Sequence, residues 1–212
     1  MSRFTAAVFD LDGTLIDSYA AILECLNLVR GAYGKDAVSL EECRRMVGHG
    51  LDVLIARAIG EENAAAGVTL FRERYAVVGP EKTDLLPDAD AVTAELSRRG
   101  VAMAIASNKP ARFSKQLLES LGIASRFTLI VGPDSGFPPK PDPEMVAHIL
   151  EGLGATPGTA LFVGDMEVDV ATARAAGMKV AVLPTGSSSR EELADTGADW
   201  LLDGLPELLS LF

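Results

Sequence analysis

Apolar positions along the chain change their spacing twice. Residues 6–9 (Ala-Ala-Val-Phe) form a short continuous apolar run that ends on Asp10. A run of this kind, bounded by a turn signal, reads as a buried strand. From 16 to 83 strand character fades. Segments 18–31, 39–47, 51–59 and 62–77 carry helical spacing and are separated by Gly31, Gly34, Gly48, Gly50 and Gly60. Ser39 with Glu42 three residues on is the signature of a capping box. The period then shortens again, and 101–107, 128–131, 160–163 and 179–183 read as buried strands. Helical stretches at 88–98, 111–121, 143–153 and 168–176 lie between them. The tail adds a helix, an edge strand at 199–202 and a last short helix, while Ser187-Ser188-Ser189 reads as a loop.

Strands alternating with helices imply right-handed crossovers and a parallel sheet. The predicted fold is therefore α/β: a parallel, Rossmann-like core formed by 1–15 and 84–212, with an α-helical bundle inserted at 16–83. The hinges fall at Leu15–Ser18 and Lys82–Pro87. An insert that starts directly after Asp12-Gly13-Thr14 sits above the carboxyl edge of the sheet, where a lid would sit.

Composition narrows the partners. The chain has 212 residues, 48% hydrophobic and 23% charged, as expected of an ordinary globular protein. Its net charge of −11 argues against nucleic acid and anionic membrane as partners. An anionic substrate must then meet a local positive site against an unfavourable overall field. Cys25 and Cys43 lack metal-site spacing and read as reduced structural thiols. No secretory pattern or membrane-length apolar run is present, so the expected location is the cytoplasm. Monomer and homodimer fit these patterns equally well.

The candidate chemistry lies at four strand ends. The first carries Asp10, Asp12 and Thr14; the second, Ser107-Asn108-Lys109; the stretch after the third, Lys140 among four prolines; the fourth, Gly164-Asp165 with Asp169 beyond it. Taken singly, each has an ordinary reading. Asp12-Gly13 suits a hairpin turn, Ser107 a helix cap, Lys140 a solvated surface, and Asp169 the first turn of a helix. Asp142 before Pro143 reads as a cap. A calcium loop fits Asp10 and Asp12 but fails at Leu15 and Ala21, where its glycine and closing glutamate belong.

A parallel sheet brings all four ends to one edge. Two like charges there repel by about 4 kcal/mol at a separation of about 4 Å and an effective dielectric of about 20. Asp10, Asp12, Asp165 and Asp169 therefore need a cation or a proton shift. Carboxylate oxygens without nearby His or Cys favour Mg2+, and Lys140 adds a fixed positive charge. Carboxylates, a hard cation, a lysine and a hydroxyl around one point suit phosphoryl transfer, in which an aspartate can be the nucleophile.

The ordered motifs Asp10-Leu11-Asp12-Gly13-Thr14, Ser107-Asn108, Lys140 and Gly164-Asp165 with Asp169 resemble the haloacid dehalogenase-like (HAD) hydrolase superfamily. The insert is similar to that superfamily's small helical cap and points to the phosphoglycolate phosphatase-like subfamily. The resemblance implies that Asp10 attacks phosphorus and becomes an aspartyl phosphate. Asp12 then acts as general acid and base, and Lys140 neutralises charge beside Asp10. Magnesium would be held by Asp10, the Asp12 carbonyl, Asp165 and Asp169. Thr14, Ser107 and Asn108 would serve the phosphoryl group. On the cap, Gly48, His49 and Arg45 are candidate substrate contacts, with Arg44 beside them.

Two departures stand out. Met166, followed by Glu167, stands where many relatives carry a small hydroxyl residue after the aspartate, and Pro87-Asp88 replaces the commoner Pro-Gly. The implied activity is a Mg-dependent phosphatase acting on a small phosphorylated metabolite, phosphoglycolate-like or a sugar phosphate. A sugar-phosphate mutase of the beta-phosphoglucomutase type is the alternative on the same fold. A phospho-accepting signalling domain is the alternative of another class, and the insert makes little sense for it.

Overall fold

The structure, a computed structural model, describes residues 4–212. In chain order its first elements are β1 (Ala6–Phe9), β2 (Ile16–Asp17), α1 (Tyr19–Ala32), α2 (Leu40–Met46), α3 (Leu51–Ile59) and α4 (Ala64–Glu81). Then come β3 (Asp84–Leu85), α5 (Ala89–Arg98), β4 (Ala102–Ala106), α6 (Ala111–Ser120), β5 (Leu129–Val131) and α7 (Glu144–Leu153). The chain ends with β6 (Ala160–Gly164), α8 (Glu167–Ala175), β7 (Lys179–Val182), α9 (Arg190–Ala194), β8 (Trp200–Leu201) and a 3-10 turn at Leu205–Ser210.

Six strands form one parallel sheet in the order β5-β4-β1-β6-β7-β8. Alternate residues of each central strand feed opposite faces, so the strands read as unbroken apolar runs. Ala7, Phe9, Met103, Ile105, Leu161 and Val163 join one core, and Ala6, Val8, Ala104, Phe162 and Val180 the other. The second core is completed by Met145, Val146, Ile149 and Leu150 of α7 and Val170 and Ala173 of α8. From β1 the chain goes to β4 and β5 on one side, then returns to β6 on the other. The switch point between these halves is the carboxyl end of β1, where open α/β sheets gather their ligands.

The insert helices pack on one another and continue the first core: Leu26, Val29, Ile55, Phe71 and Val78 share it with Phe9 and Ile105. The Ser39–Glu42 capping box forms at the start of α2. Where the sequence shows only hinges, the two chain crossings pair as an antiparallel ribbon, Ile16 opposite Leu85 and Asp17 opposite Asp84. Strands of two residues are too short to leave a periodic signal. The helix read at 62–77 in fact runs from Ala64 to Glu81 with Pro80 inside it. Proline cannot donate to the carbonyl four residues back; that carbonyl, on Ala76, instead accepts a 3.0 Å hydrogen bond from Gln116 Nε2 on α6. The cost of the proline is thus offset by a contact between insert and core.

Both cysteines are buried and free. Burial pushes the Cys25 thiol up to about 12 and Cys43 to about 11, which keeps them unreactive. Among the described residues no helix is long and apolar enough to cross a membrane.

Candidate active site

Asp10 leaves β1 at the switch point, and its amide donates to Val163 O of β6 at 2.8 Å. The chain turns at once. Gly13 has φ +84, and a Cβ there would lie 2.6 Å from the Cα of Gly186 and 2.7 Å from Asp165 Oδ2. Gly186 is tighter still: its Cβ would meet the same carboxylate oxygen at 1.8 Å. The two backbones close on Asp165 because neither carries a side chain.

Around Asp10 the motif residues meet. Lys140 Nζ donates to Asp10 Oδ1 and to Asp169 Oδ1, each at 2.6 Å, with the lysine side chain 2% exposed. The second oxygen of Asp169 accepts the amides of Asp165 (3.1 Å) and Met166 (3.0 Å), closing the start of α8. Asp165 accepts from the Thr14 hydroxyl at 3.0 Å and from the Ser187 amide at 2.9 Å. Ligand oxygens of Asp10, Asp165 and Asp169 all lie within 4.8 Å of one another, and all three residues are buried.

Three buried carboxylates share one lysine, so the cluster carries excess negative charge in a place that hydrates it poorly. Burial pushes the Asp10 carboxyl up to about 6 despite the opposing pull of Lys140. It pushes Asp165 well above the usual range, and the neighbouring charges of Asp10 and Asp169 push the same way. Burial disfavours the Lys140 ammonium, but Asp10 and Asp169 outweigh it and hold its pKa above the ordinary value. Oxygen donors, excess negative charge and low solvation are what a hard divalent cation requires, so this donor set fits magnesium.

Asp12 faces a separate environment. Its carboxylate accepts a hydrogen bond from the Ser18 hydroxyl and pairs with Lys109 Nζ at 2.7 Å. The two adjacent aspartates therefore answer to different lysines. Lys109 lies at the second strand end but shows no distinguishing spacing in the sequence. Its partner is placed by the fold, with its ammonium 4.8 Å from the centroid of the Tyr75 ring on α4.

Ser107 does not cap α6. Its hydroxyl accepts the Lys109 amide at 3.3 Å, while the first amides of α6 are taken by the Asp134 carboxylate. The Asn108 side chain, buried, donates to Gly48 O at 3.0 Å and Lys140 O at 3.2 Å and accepts from Lys140 N at 2.7 Å. One amide thus ties a loop of the insert to the segment that carries Lys140. Ser187, read from sequence as loop, is a loop that also holds Asp165 and bonds the Tyr19 hydroxyl at 2.8 Å. Ser189 beyond it caps α9 through a box with Glu192, a spacing that was present in the sequence.

A cavity of about 70 Å³ opens over Asp10 between the sheet edge and the insert. Asp12, Ser107, Asn108, Lys109, Lys140 and Gly48 line it, with apolar walls from Ile22, Val47, Leu51, Leu54, Phe71 and Phe113. Thr14 lies behind Asp165 rather than on the cavity wall. Arg45 and His49 are not brought to this cavity. They line a wider cleft of about 470 Å³ beside it, together with Glu167, Ser187 and Ser188. Arg45 is exposed and paired with Glu41. Arg44 turns inward instead, its guanidinium 4.3 Å from the Tyr19 ring centroid and 3.3 Å from Asp17. Met166 lines both spaces and packs against Gly48, where a Cβ would lie 2.3 Å from its sulfur.

Known proteins resemble the chain in both sequence and fold. A sequence model of haloacid dehalogenase-like hydrolases matches residues 7–183. The chain is 35% identical to phosphoglycolate phosphatase 1 of Pseudomonas aeruginosa, covering 95% of this chain and 77% of the relative. It is 36% identical to the phosphoglycolate phosphatase of Rhodospirillum rubrum, covering 96% and 88%. Among solved structures it is similar to CbbY of Rhodobacter sphaeroides in complex with phosphate, with a TM-score of 0.84 at 26% identity over 97% of this chain and 96% of the other. A "predicted phosphoglycolate phosphatase" from Haemophilus somnus gives a TM-score of 0.89 at 26% identity, covering 100% and 99%.

Proposed function

The chain belongs to the haloacid dehalogenase-like hydrolases and is a phosphatase of that family; on that premise we propose that it hydrolyses a small phosphorylated metabolite, phosphoglycolate-like or a sugar phosphate, with magnesium, through an aspartyl phosphate on Asp10. The observation that carries the reading is the separation of two neighbouring carboxylates, Asp10 on Lys140 and Asp12 on Lys109. On this reading one carboxylate attacks and the other moves a proton.

In the first step an Asp10 carboxylate oxygen bonds to phosphorus as the bond from phosphorus to the substrate alcohol breaks, and Asp12 gives the departing oxygen its proton. In the second, water attacks phosphorus, Asp12 takes a proton from it, and the Asp10 carboxylate leaves. Lys140 holds Asp10 in place and offsets the charge that gathers on the phosphoryl oxygens. The Ser107 hydroxyl and the Asn108 backbone N–H orient those oxygens. Asp10, the Asp12 carbonyl, Asp165 and Asp169 are the groups that would hold magnesium, which neutralises phosphoryl charge when bound. Residues 16–83 act as a cap on a core made of 1–15 and 84–212. Their apolar walls exclude water from the acyl phosphate until the alcohol has left. A cytoplasmic location suits such a substrate.

The mutase alternative must hold and reorient a sugar bisphosphate, whereas direct hydrolysis releases its phosphate to water. Release of inorganic phosphate in step with substrate loss separates the two. The mechanism is tested by turnover of p-nitrophenyl phosphate with magnesium. Asp10→Asn is expected to lower it at least about 1,000-fold, and near-wild-type turnover in this variant would remove Asp10 from the chemistry.

A further inference from the structure

The space over Asp10 and the cleft that holds Arg45 and His49 are separated by a single layer of chain. Gly48 and Gly50 line the inner space, while His49 between them lines the cleft. Lys140 and Asp169 face the first, and their neighbours Pro141 and Glu167 the second. Met166 and Val168 line both. The apolar walls of the inner space, Ile22, Leu54, Phe71 and Phe113, belong to the core that insert and sheet share. Met166 and Val168 belong to neither core. Val168 is short and branched, so the side chain that reaches across to the insert is Met166.

Its seat exists because residue 48 has no side chain. A Cβ on Gly48 would lie 2.3 Å from the Met166 sulfur and 2.4 Å from its methyl carbon, so the thioether fills the place another residue would take. Gly48 is held from the core, its carbonyl accepting from Asn108 Nδ2 at 3.0 Å. The Met166 main chain is fixed independently of its side chain. Its amide donates to Asp169 Oδ2 at 3.0 Å, and its carbonyl accepts from the Asp169 amide at 3.0 Å. Methionine is unbranched and has three rotatable bonds, so it yields to a neighbour more readily than a branched or aromatic wall. The two spaces also differ in character. Beyond Met166 the cleft offers Ser187, Ser188, Thr196, Glu167 and His49, groups that exchange hydrogen bonds with hydroxyls.

We propose that Met166 is a specificity-determining partition. Seated on Gly48, its thioether closes the catalytic cavity from the polar cleft, so an ester with a long alcohol portion must displace it and a compact one need not. Removing the side chain joins the two spaces, and the hydroxylated far end of a longer alcohol then lies among the polar groups of the cleft. This inference rests on the phosphatase reading. It concerns the length of the alcohol and is indifferent to its charge.

The test compares glycerol 3-phosphate with sorbitol 6-phosphate, open-chain polyol phosphates of the same chemistry and different length. With magnesium, wild-type kcat/KM is expected to favour the shorter ester by about tenfold or more, the effect of displacing one packed side chain. Met166→Ala is expected to cut that preference at least about fivefold, through a lower KM for sorbitol 6-phosphate. Met166→Gln, which keeps the length of the side chain, is expected to hold the preference within about twofold of wild type. Equal wild-type kcat/KM for the two esters, or a preference that persists in Met166→Ala, overturns the partition and leaves the phosphatase reading intact. If the wild type hydrolyses neither ester, the phosphatase reading fails, and calorimetric titration with the same two ligands decides the partition. A gain in affinity for sorbitol 6-phosphate alone in Met166→Ala then supports it, and no gain for the longer ligand overturns it.

Discussion

Asp10 and Asp12 are two residues apart in sequence and occupy different chemical environments. Lys140 and two other carboxylates surround the first, and Lys109 and Ser18 the second. The sign of the first environment is measurable. Burial raises the Asp10 carboxyl from 3.8 to about 6, and Asp165 moves the same way. A carboxyl whose folded pKa lies above its unfolded value stabilises the fold below the unfolded value and loses that contribution as pH rises through the folded one. Metal-free protein is therefore expected to lose stability between about pH 4 and about pH 6. Magnesium keeps the carboxylates ionised, so its stabilising effect should grow over that window to about 2–3 kcal/mol at a hundredfold excess over its dissociation constant. Thermal melts with magnesium and with a chelator across this range check both statements; a chelator-treated protein whose stability rises over the window would contradict them.

The elements that set the site are short, and their departures from regularity fall where insert and core meet. α4 tolerates Pro80 because Gln116 supplies the donor that the proline removes. β2 and β3 are a single pair of two-residue strands that hold the crossings in register. At the return to the core, Asp88 adopts φ 65, a left-handed conformation that glycine occupies without a Cβ penalty, and its side chain is exposed. Asp88→Gly should raise stability by about 0.5–1 kcal/mol, since relief of the left-handed strain exceeds the added freedom of the unfolded chain. Denaturant titration measures it; a loss of similar size would mean that the aspartate makes a contribution beyond its backbone angle.

At the scale of the molecule, a protein of net charge −11 presents its positive charge to substrate from inside. Lys109 and Lys140 are both buried at the sheet edge under the insert, where the general negative field is countered locally. Asn108 joins the two parts of the molecule, linking Gly48 of the insert to both backbone groups of Lys140. Asn108→Ala is expected to lower kcat/KM about 10- to 100-fold, through loss of buried hydrogen bonds worth about 1–3 kcal/mol. Hydrogen exchange should quicken around Gly48–Gly50. An activity loss with unchanged exchange there would place the effect on the phosphoryl group alone.

Spacing was enough to read the alternating strands and helices, the helical insert and the convergence of Asp10, Ser107, Lys140 and Asp165, because burial on both faces leaves continuous apolar runs and a parallel sheet aligns their ends. The Ser39 cap was equally legible, since both partners lie within one helical turn; the same spacing of Ser189 and Glu192 lay in a stretch read only as a loop. What only the tertiary structure decided depends on groups distant in sequence. Lys109 looks like any strand-end lysine until the fold sets it between Asp12 and Tyr75. Tyr75 looks like a core aromatic until the fold places its ring beside Lys109 at the cavity wall. Arg45 and His49, candidates by position in the chain, line the adjoining cleft instead. Periodicity reports which face a residue takes; a pairing across 97 residues, as between Asp12 and Lys109, leaves no period to read.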